Sequence, residues 1–298
     1  MTITHYPVLL KEVIESLNPL PNQNYVDGTV GLASHTIEIL KRTSPQGKIL
    51  AIDLNKETLK IAKRRIEEKG LSERVIFTQG NFAKIAEIAK KFRFSPVKGI
   101  LLDLGLSMFL IKESGLGFTF QKNEFLDMRY SPKETNLTAS QVLNSYSFKE
   151  LAEIFSSFGQ EKKAREIAEE IVRQRKKEPI NHTFQLKEIV ERVYGFKRRK
   201  RIQPATKVFQ ALRIYLNKEL ENLKEGLKSS FAILSPGGRM AVITFHSLED
   251  KIVKQFYLEK KREREGVIIT KRPIKPKYQE IKINPPSRSA KLRVLEKI

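Results

Sequence analysis

The chain has 298 residues, with 56 Lys and Arg against 34 Asp and Glu, a formal net charge of +22, and neither Cys nor Trp. That length suits one large domain or two moderate ones, and 40% hydrophobic residues are enough for a core, which excludes wholesale disorder. Zero Cys excludes a disulfide framework, thiolate catalysis and Cys-ligated zinc. No stretch approaches the roughly 18 uncharged apolar residues of a membrane span. Met1-Thr2-Ile3-Thr4-His5 lacks the basic flank and apolar run of a leader. These features together read as a cytoplasmic protein without a membrane partner.

The first hundred residues alternate between two periods. Asn24-Tyr25-Val26-Asp27-Gly28 reads as a short buried strand ending in a turn, and Thr36 to Arg42 as helix. Lys48-Ile49-Leu50-Ala51-Ile52-Asp53 is a second strand ending in a carboxylate. Lys56 to Lys69 is a helix with Leu59, Ala62 and Ile66 on one face, closed by Gly70. Val75-Ile76-Phe77 is a third strand, Phe82 to Lys91 a helix, and Gly99-Ile100-Leu101-Leu102-Asp103 a fourth strand. Near-continuous apolar strands separated by such helices predict a mostly parallel, doubly wound α/β sheet.

From about Ile111 to Arg201 only helical periods recur: Thr138–Asn144, Phe148–Phe158, Lys162–Arg175 and Thr183–Val193. A long helix is expected from Ala205 to Leu234, stopped by Ser235-Pro236-Gly237-Gly238, after which Arg239–Phe245 returns as a buried strand. The simplest topology is an α/β domain over 1–108 and 205–298, interrupted by an all-helical insertion over 109–204.

The charge is segregated. Residues 1–160 carry 21 basic and 17 acidic side chains; 161–201 carry 14 against 7; 202–250 carry 6 against 5; and 251–298 carry 15 against 5. Segregated positive charge points to a polyanion, because each phosphate neutralised releases counterions. A Lys/Glu-rich surface of a heat-adapted protein explains high charge of both signs but not the excess of one.

In open parallel sheets ligands bind at the carboxyl ends of the strands. The first strand ends in Asp27-Gly28-Thr29-Val30-Gly31, the second in Asp53 and the fourth in Asp103-Leu104-Gly105. An acidic residue placed like Asp53 accepts both ribose hydroxyls of a nucleoside cofactor. Three spaced glycines for a pyrophosphate are missing, as is a Gly-Lys-Ser/Thr phosphate loop. A cofactor with a ribose but no phosphate, S-adenosylmethionine, fits better. The plainer alternative is that Gly28 and Gly31 only make a turn while Asp53 caps the next helix.

These residues carry a resemblance. His5-Tyr6-Pro7-Val8-Leu9-Leu10-Lys11-Glu12, Tyr25-Val26-Asp27-Gly28-Thr29, Gly99–Gly105 and Leu126-Asp127-Met128-Arg129 are similar to the RsmH (MraW) family. So are Pro204-Ala205-Thr206, Phe209–Ile214, Asn217–Leu220, Phe245-His246-Ser247-Leu248-Glu249-Asp250 and Ser287–Arg293. The match runs in order from residue 5 to about 294. It implies a Rossmann-like class I methyltransferase with a helical insertion, which N4-methylates a cytidine in the decoding region of 16S ribosomal RNA with S-adenosylmethionine. By the same resemblance the cofactor contacts fall on Ala33, Ser34, His35, Asp53, Phe82, Asp103 and Leu110. The partner is then the small ribosomal subunit, and a homodimer stays open. This chain departs from the family in Leu32-Ala33-Ser34, where a glycine-rich loop is usual, in Leu110, where Gln is usual, and in Leu116, where Arg is usual.

Methylating an exocyclic amine is mainly a matter of positioning and desolvation. Asp103 is placed to accept from the amine, while His246 and Ser247, with Phe245 to stack, sit at another strand end. The competing reading makes His246 a packing residue and Ser247 the cap of a helix Leu248–Lys261. RNA contacts are expected from Lys197, Arg198, Arg199, Lys200 and Arg201, from 271–277, and from Arg213 and Arg288. Phe118, Phe120 and Phe245 are stacking candidates for a splayed base, with core packing as the conservative reading of the first two. Asn284-Pro285-Pro286-Ser287 is read as a turn. His5, His35, His182 and His246 show no ligand spacing and no accompanying carboxylates, so no metal is expected. Two further readings stay open: a catalytically weakened RNA-binding assembly factor, and a DNA amino-methyltransferase.

Overall fold

The computed structural model describes residues 6–132, 134–195 and 203–298. The chain divides into two compact units, Met1–Ser107 with Leu220–Ile298, and Met108–Glu219.

The first unit holds a seven-stranded sheet. Its strands are β1 Tyr25–Asp27, β2 Ile49–Asp53, β3 Val75–Gln79, β4 Val97–Asp103, β5 Leu234–Thr244, β6 Gly266–Ile268 and β7 Lys291–Lys297, in the order β3-β2-β1-β4-β5-β7-β6. Strands β3 through β5 are parallel, and β7 runs antiparallel to both β5 and β6. Strand alternation sorts the apolar side chains into two layers. Ile49, Ala51, Leu101, Ala241 and Ile243 face one layer, with Val13, Leu17, Ile39, Leu40, Ala62 and Ile66 from the helices Leu10–Leu17, Ser34–Arg42 and Lys56–Glu67. Leu50, Ile52, Ile100, Leu102, Met240 and Val242 face the other, against Ile85, Leu227, Phe231, Val253 and Tyr257 from Ile85–Lys91, Glu219–Ile233 and Ser247–Arg262. Each such Leu or Ile contributes roughly 1.5–3 kcal/mol of burial. Both faces are covered, as the apolar runs predict. In the centre Gly99 is obligatory for space, since a Cβ there would strike the ring of the fully buried Tyr25.

The second unit is helical: Met108–Lys112, Ala139–Ser145, Phe148–Ser157, Ala164–Arg175, Thr183–Tyr194 and Ala205–Leu216. Thr138 with Gln141 and Ser147 with Glu150 form capping boxes that start two of these helices. Leu151, Phe155, Ile167, Ile171, Leu186, Ile189, Val208 and Leu212 are all buried and supply its core.

Two sequence expectations are corrected here. The insertion extends to Glu219 rather than 204, because helix Ala205–Leu216 packs with the inserted helices; Lys207 Nζ donates to the Gln160 carbonyl at 2.7 Å and Gln210 Nε2 to that of Phe158 at 3.3 Å. The long helix expected over Ala205–Leu234 is two helices. Asn217 interrupts it by donating through Nδ2 to the Met128 carbonyl at 2.9 Å and accepting from the Tyr130 N–H at 2.8 Å, and Lys218 takes a left-handed φ of 49°. No helix among the described residues is long and apolar enough to cross a membrane.

Candidate active site

Three carboxylates end three neighbouring parallel strands: Asp27 on β1, Asp53 on β2 and Asp103 on β4. Their placement follows from the sheet, since each strand ends where its apolar run gives way to an acid. Asp27 is buried and internally satisfied, with Thr36 Oγ1 donating at 2.6 Å and the Thr29 N–H at 3.2 Å. Burial raises its pKa, and burial lowers that of the adjacent His35, whose Nε2 lies 3.0 Å from the Val8 carbonyl. Both groups are therefore buried and satisfied within the first unit.

Asp53 is arranged differently. Its Oδ2 accepts from the Gly31 N–H at 3.0 Å and its Oδ1 from the Asn55 N–H at 2.9 Å. A carboxylate has about four acceptor directions, so with the Leu54 N–H also acting on it, acceptor capacity still remains for a ligand. Desolvation pushes its pKa up to about 6. The expected alternative, Asp53 as a helix cap, is not what the fold uses: Asn55 Oδ1 caps Lys56–Glu67 by accepting from the Thr58 N–H at 2.9 Å.

The loop between β1 and its helix departs from the family pattern in composition but is firmly held. Gly31 has φ 51°, and Ala33 has φ 61°, a left-handed conformation that costs an alanine roughly 1 kcal/mol. Leu32 is buried, and Arg65 Nη1 reaches the Leu32 carbonyl at 2.5 Å and Ser34 Oγ at 3.3 Å. Ala33 and Ser34 thus begin the helix Ser34–Arg42 with no side-chain cap at its N-terminus. Phe82 opens a short 3₁₀ turn, and its ring lies so close to Gly226 that any Cβ there would collide.

Asp103 receives the Gly105 N–H on Oδ1 at 3.1 Å, while its own N–H donates to Thr29 Oγ1 at 2.7 Å. Burial first, and then the negative charge of Glu249, push its pKa up to about 6. Phe245 lies over the backbone of Gly105, where an added Cβ would stand 2.9 Å from the ring.

The end of β5 is organised by Glu249, a residue that sequence reasoning left inside a motif without a role. Its buried carboxylate accepts from the Phe245 N–H at 2.7 Å and the His246 N–H at 3.3 Å. In return His246 Nδ1 accepts from the Glu249 N–H at 3.3 Å, so His246, not Ser247, caps helix Ser247–Arg262. With Nδ1 accepting, the ring proton sits on Nε2. Nε2 is 3.1 Å from Glu249 Oε1 but misaligned, and this buried donor makes no hydrogen bond among the described residues. A carboxylate does accompany a histidine here, contrary to expectation. Ser247 is exposed on the first turn of the helix. The capping signal was present in the His-x-x-Glu spacing, but Ser is the commoner cap.

The remaining sequence candidates stand on other elements. Leu110 is buried on the helix Met108–Lys112 of the helical unit. Arg213 is held in a bidentate pair with Glu219, at 2.8 and 2.9 Å, which Tyr130 also meets at 2.6 Å, so its guanidinium orders that unit's helix end. Phe118 is buried and stacks on Tyr130 at 5.5 Å, and Phe120 packs edge-on to Phe209 at 5.1 Å; packing, not base stacking, is their role. Arg288 is exposed. Lys197, Arg198, Arg199, Lys200 and Arg201 fall outside the described residues.

A family model for the MraW methylase family matches residues 2–298. The chain belongs to the MraW methylase family. Two similar proteins are the ribosomal RNA small subunit methyltransferase H of Syntrophotalea carbinolica, 43% identical over 99% of this chain and 98% of that protein, and that of Thermomicrobium roseum, 41% identical over 100% and 95%. Among solved structures, a protein from Clostridium thermocellum assigned as an rRNA methylase superposes with a TM-score of 0.50 at 13% identity, covering 99% of this chain and all of that one. Its likeness bears on fold alone, and it agrees with the Rossmann-like, mostly parallel sheet described above. The cofactor-contact candidates Ala33, Ser34, His35, Asp53, Phe82 and Asp103 all belong to the first unit.

Proposed function

We propose that this chain is the S-adenosylmethionine-dependent methyltransferase that modifies N4 of a cytidine in the decoding region of 16S ribosomal RNA within the small ribosomal subunit. Membership of the methylase family and the names of its 41–43% identical relatives support the reading. The observation that carries the cofactor assignment is Asp53, a half-buried carboxylate at the end of β2 held by backbone N–H groups and with acceptor capacity left.

The residues present fit such a cofactor, because a carboxylate with acceptor capacity left suits ribose hydroxyls and no phosphate-binding loop is needed. When bound, S-adenosylmethionine supplies an electrophilic sulfonium methyl. Asp53 would take the ribose hydroxyls, the Phe82 ring would bound the base, and the Gly31–Ser34 loop would close over the amino-acid end. Around the acceptor, Asp103 and the backbone after it receive an N4–H, which turns the nitrogen lone pair toward the methyl. His246, with its Nδ1 occupied by the Glu249 N–H and its Nε2 buried beside Glu249 Oε1, positions the end of β5 rather than acting as a base. The cofactor, held by Asp53 and the Gly31–Ser34 loop, would supply the methyl to N4, its sulfur keeping the C–S electron pair. The amine proton becomes acidic only then, and leaves to Asp103 or water, so no strong base is required. Phe245 covers the target base.

The deciding experiment maps methylated cytidines by mass spectrometry in small subunits from a strain lacking this gene, before and after incubation with the purified protein and S-adenosylmethionine. One N4-methylcytidine should appear in the decoding region. Subunits left unmodified, or a cofactor that does not bind at millimolar concentration, would overturn the assignment and leave the assembly-factor reading.

A further inference from the structure

We propose that the segment 271–288 of the first unit is a preformed grip for single-stranded RNA, with Tyr278 as a base-stacking platform among six unpaired cations. The inference rests on the rRNA reading above and concerns exposed cations of the first unit rather than the strand-end carboxylates.

The fifteen cations of residues 251–298 fall into groups once the structure is considered: some are tied to the fold, Lys251, Lys254, Lys261 and Arg264 are exposed and unpaired on or beside the helix Ser247–Arg262, and six lie along 271–288. Lys291 and Arg293 both pair with Asp250, at 2.8 and 2.7 Å. Lys260 pairs with Glu263 and Glu265, and Lys297 donates to the Phe231 carbonyl. These cations serve the fold. By contrast Lys271, Arg272, Lys275, Lys277, Lys282 and Arg288 are all exposed, and none makes a hydrogen bond or ion pair through its side chain among the described residues. The acid within the stretch, Glu280, has its Oε1 occupied by the Leu9 N–H at 2.9 Å.

In the middle of these cations stands Tyr278, 81% exposed and the most exposed large apolar side chain among the described residues. An aromatic ring in water amid unopposed positive charge is poorly explained by packing. It matches the pairing of stacking rings with phosphate-binding cations that single-stranded nucleic acid requires.

The backbone beneath is not free to rearrange. Ile274 exchanges two hydrogen bonds with Leu292 of β7, at 3.0 and 2.9 Å, and packs against the core. Asn284 Nδ2 donates to the Tyr6 carbonyl at 3.0 Å, and Pro276, Ser287 and Ala290 are buried. Anchors on both sides of Tyr278 mean that little ordering entropy is lost when a strand docks. Charge complementarity favours an RNA strand over a second copy of this chain, whose matching face would bring the same six cations together.

The test uses the full-length protein and a fluorescent single-stranded oligoribonucleotide of about ten nucleotides, a length within the usual site sizes, read by anisotropy, alongside the KM for small subunits. Tyr278→Ala should weaken oligonucleotide binding about tenfold, the middle of the range for losing one stacked base, and Tyr278→Phe should stay within about twofold because the ring remains. Lys275→Ala with Lys277→Ala and Lys282→Ala should lower the slope of log affinity against log salt by about 2, at roughly 0.7 per phosphate. Cofactor affinity, measured by calorimetry, should be unchanged in all three and certifies folding. The inference is overturned if Tyr278→Ala binds within twofold of the parent, or if that substitution instead abolishes a concentration-dependent dimer in sedimentation. Either result leaves cofactor binding and methyl transfer by the parent protein intact; loss of those in the parent would sink the methyltransferase reading instead.

Discussion

The strand-end site and the segment 271–288 are held by the same sheet but work by opposite physics. At the strand ends Asp27 is buried and Asp53 and Asp103 are half-buried, burial raises their pKa values, and their partners are backbone N–H groups and, for Asp27, the Thr36 hydroxyl. Along 271–288 the charges are of the other sign, exposed, and without protein partners. Desolvated hydrogen bonds are short-ranged and specific; exposed charges reach about a Debye length, roughly 8 Å at physiological salt. One region therefore selects a small molecule, and the other gathers a large polyanion. The contrast shows why net charge alone is a poor guide to chemistry: the more reactive region carries little of it.

The largest effect should come from the desolvated side. Asp53→Ala removes the acceptors for two hydroxyls and leaves the Gly31 and Asn55 N–H groups without their partner, so cofactor affinity should fall at least about 100-fold, with RNA affinity unaltered. Calorimetry with S-adenosylmethionine checks the first and oligonucleotide anisotropy the second.

Salt should act on the exposed side only. With six phosphate contacts at roughly 0.7 each, raising salt from about 50 to 150 mM should cost roughly 100-fold in RNA affinity, while the cofactor constant moves less than about twofold. Equal sensitivity of both would erase the distinction between the regions.

Acidification should act on the desolvated side. Ionised Asp53 is the better acceptor, and its pKa is about 6, so cofactor affinity should drop about tenfold between pH 7 and pH 5. The effect on stability has the opposite sign. A carboxyl whose pKa is raised from 3.8 to about 6 takes up its proton in the folded state first, so Asp53 and Asp103 each favour the fold more as pH falls through 6 toward 3.8. Thermal melts of the free protein over that window should show these two groups opposing the usual acid destabilisation, and cofactor should shift the melt less at pH 5 than at pH 7.

The smallest effect concerns Glu249. Glu249→Gln keeps an acceptor for the Phe245 and His246 N–H groups but removes the negative charge that raises the Asp103 pKa. With saturating cofactor, the acid limb of the methylation rate should move to lower pH by a fraction of a unit. An unmoved limb would show that Asp103 does not feel that charge.

Much of this molecule was legible in the sequence because apolar runs and strand-end acids are local signals. Strands β1 to β5 and the inserted helices fall close to where periodicity places them. Strand β7 was not legible: in Lys291-Leu292-Arg293-Val294-Leu295 the inward positions include Arg293, which is 9% exposed only because Asp250 neutralises it from a helix. A partner so distant in sequence leaves no periodic trace. The break at Asn217 was hidden likewise, since its cause is hydrogen bonds to Met128 and Tyr130. In the site, Asp53 and Asp103 declared themselves by position. The orphaned Nε2 of His246 and the role of Glu249 did not, because both depend on which way a ring turns at the head of a helix.

The insertion Met108–Glu219 separates β4 from β5, which pair along most of their length. A ribosome making this chain completes β1 to β4 and then the entire helical unit before it supplies the strand that covers β4. During that interval the run Gly99-Ile100-Leu101-Leu102 is an apolar edge with no neighbour on one side, the kind of edge that recruits other chains. Independent collapse of the helical unit shortens the effective tether between the two strands to the span of a folded body. The yield of native protein is then set by how fast that unit folds, and substitutions in its core, far from the strand-end carboxylates, should show first as aggregation of nascent chains.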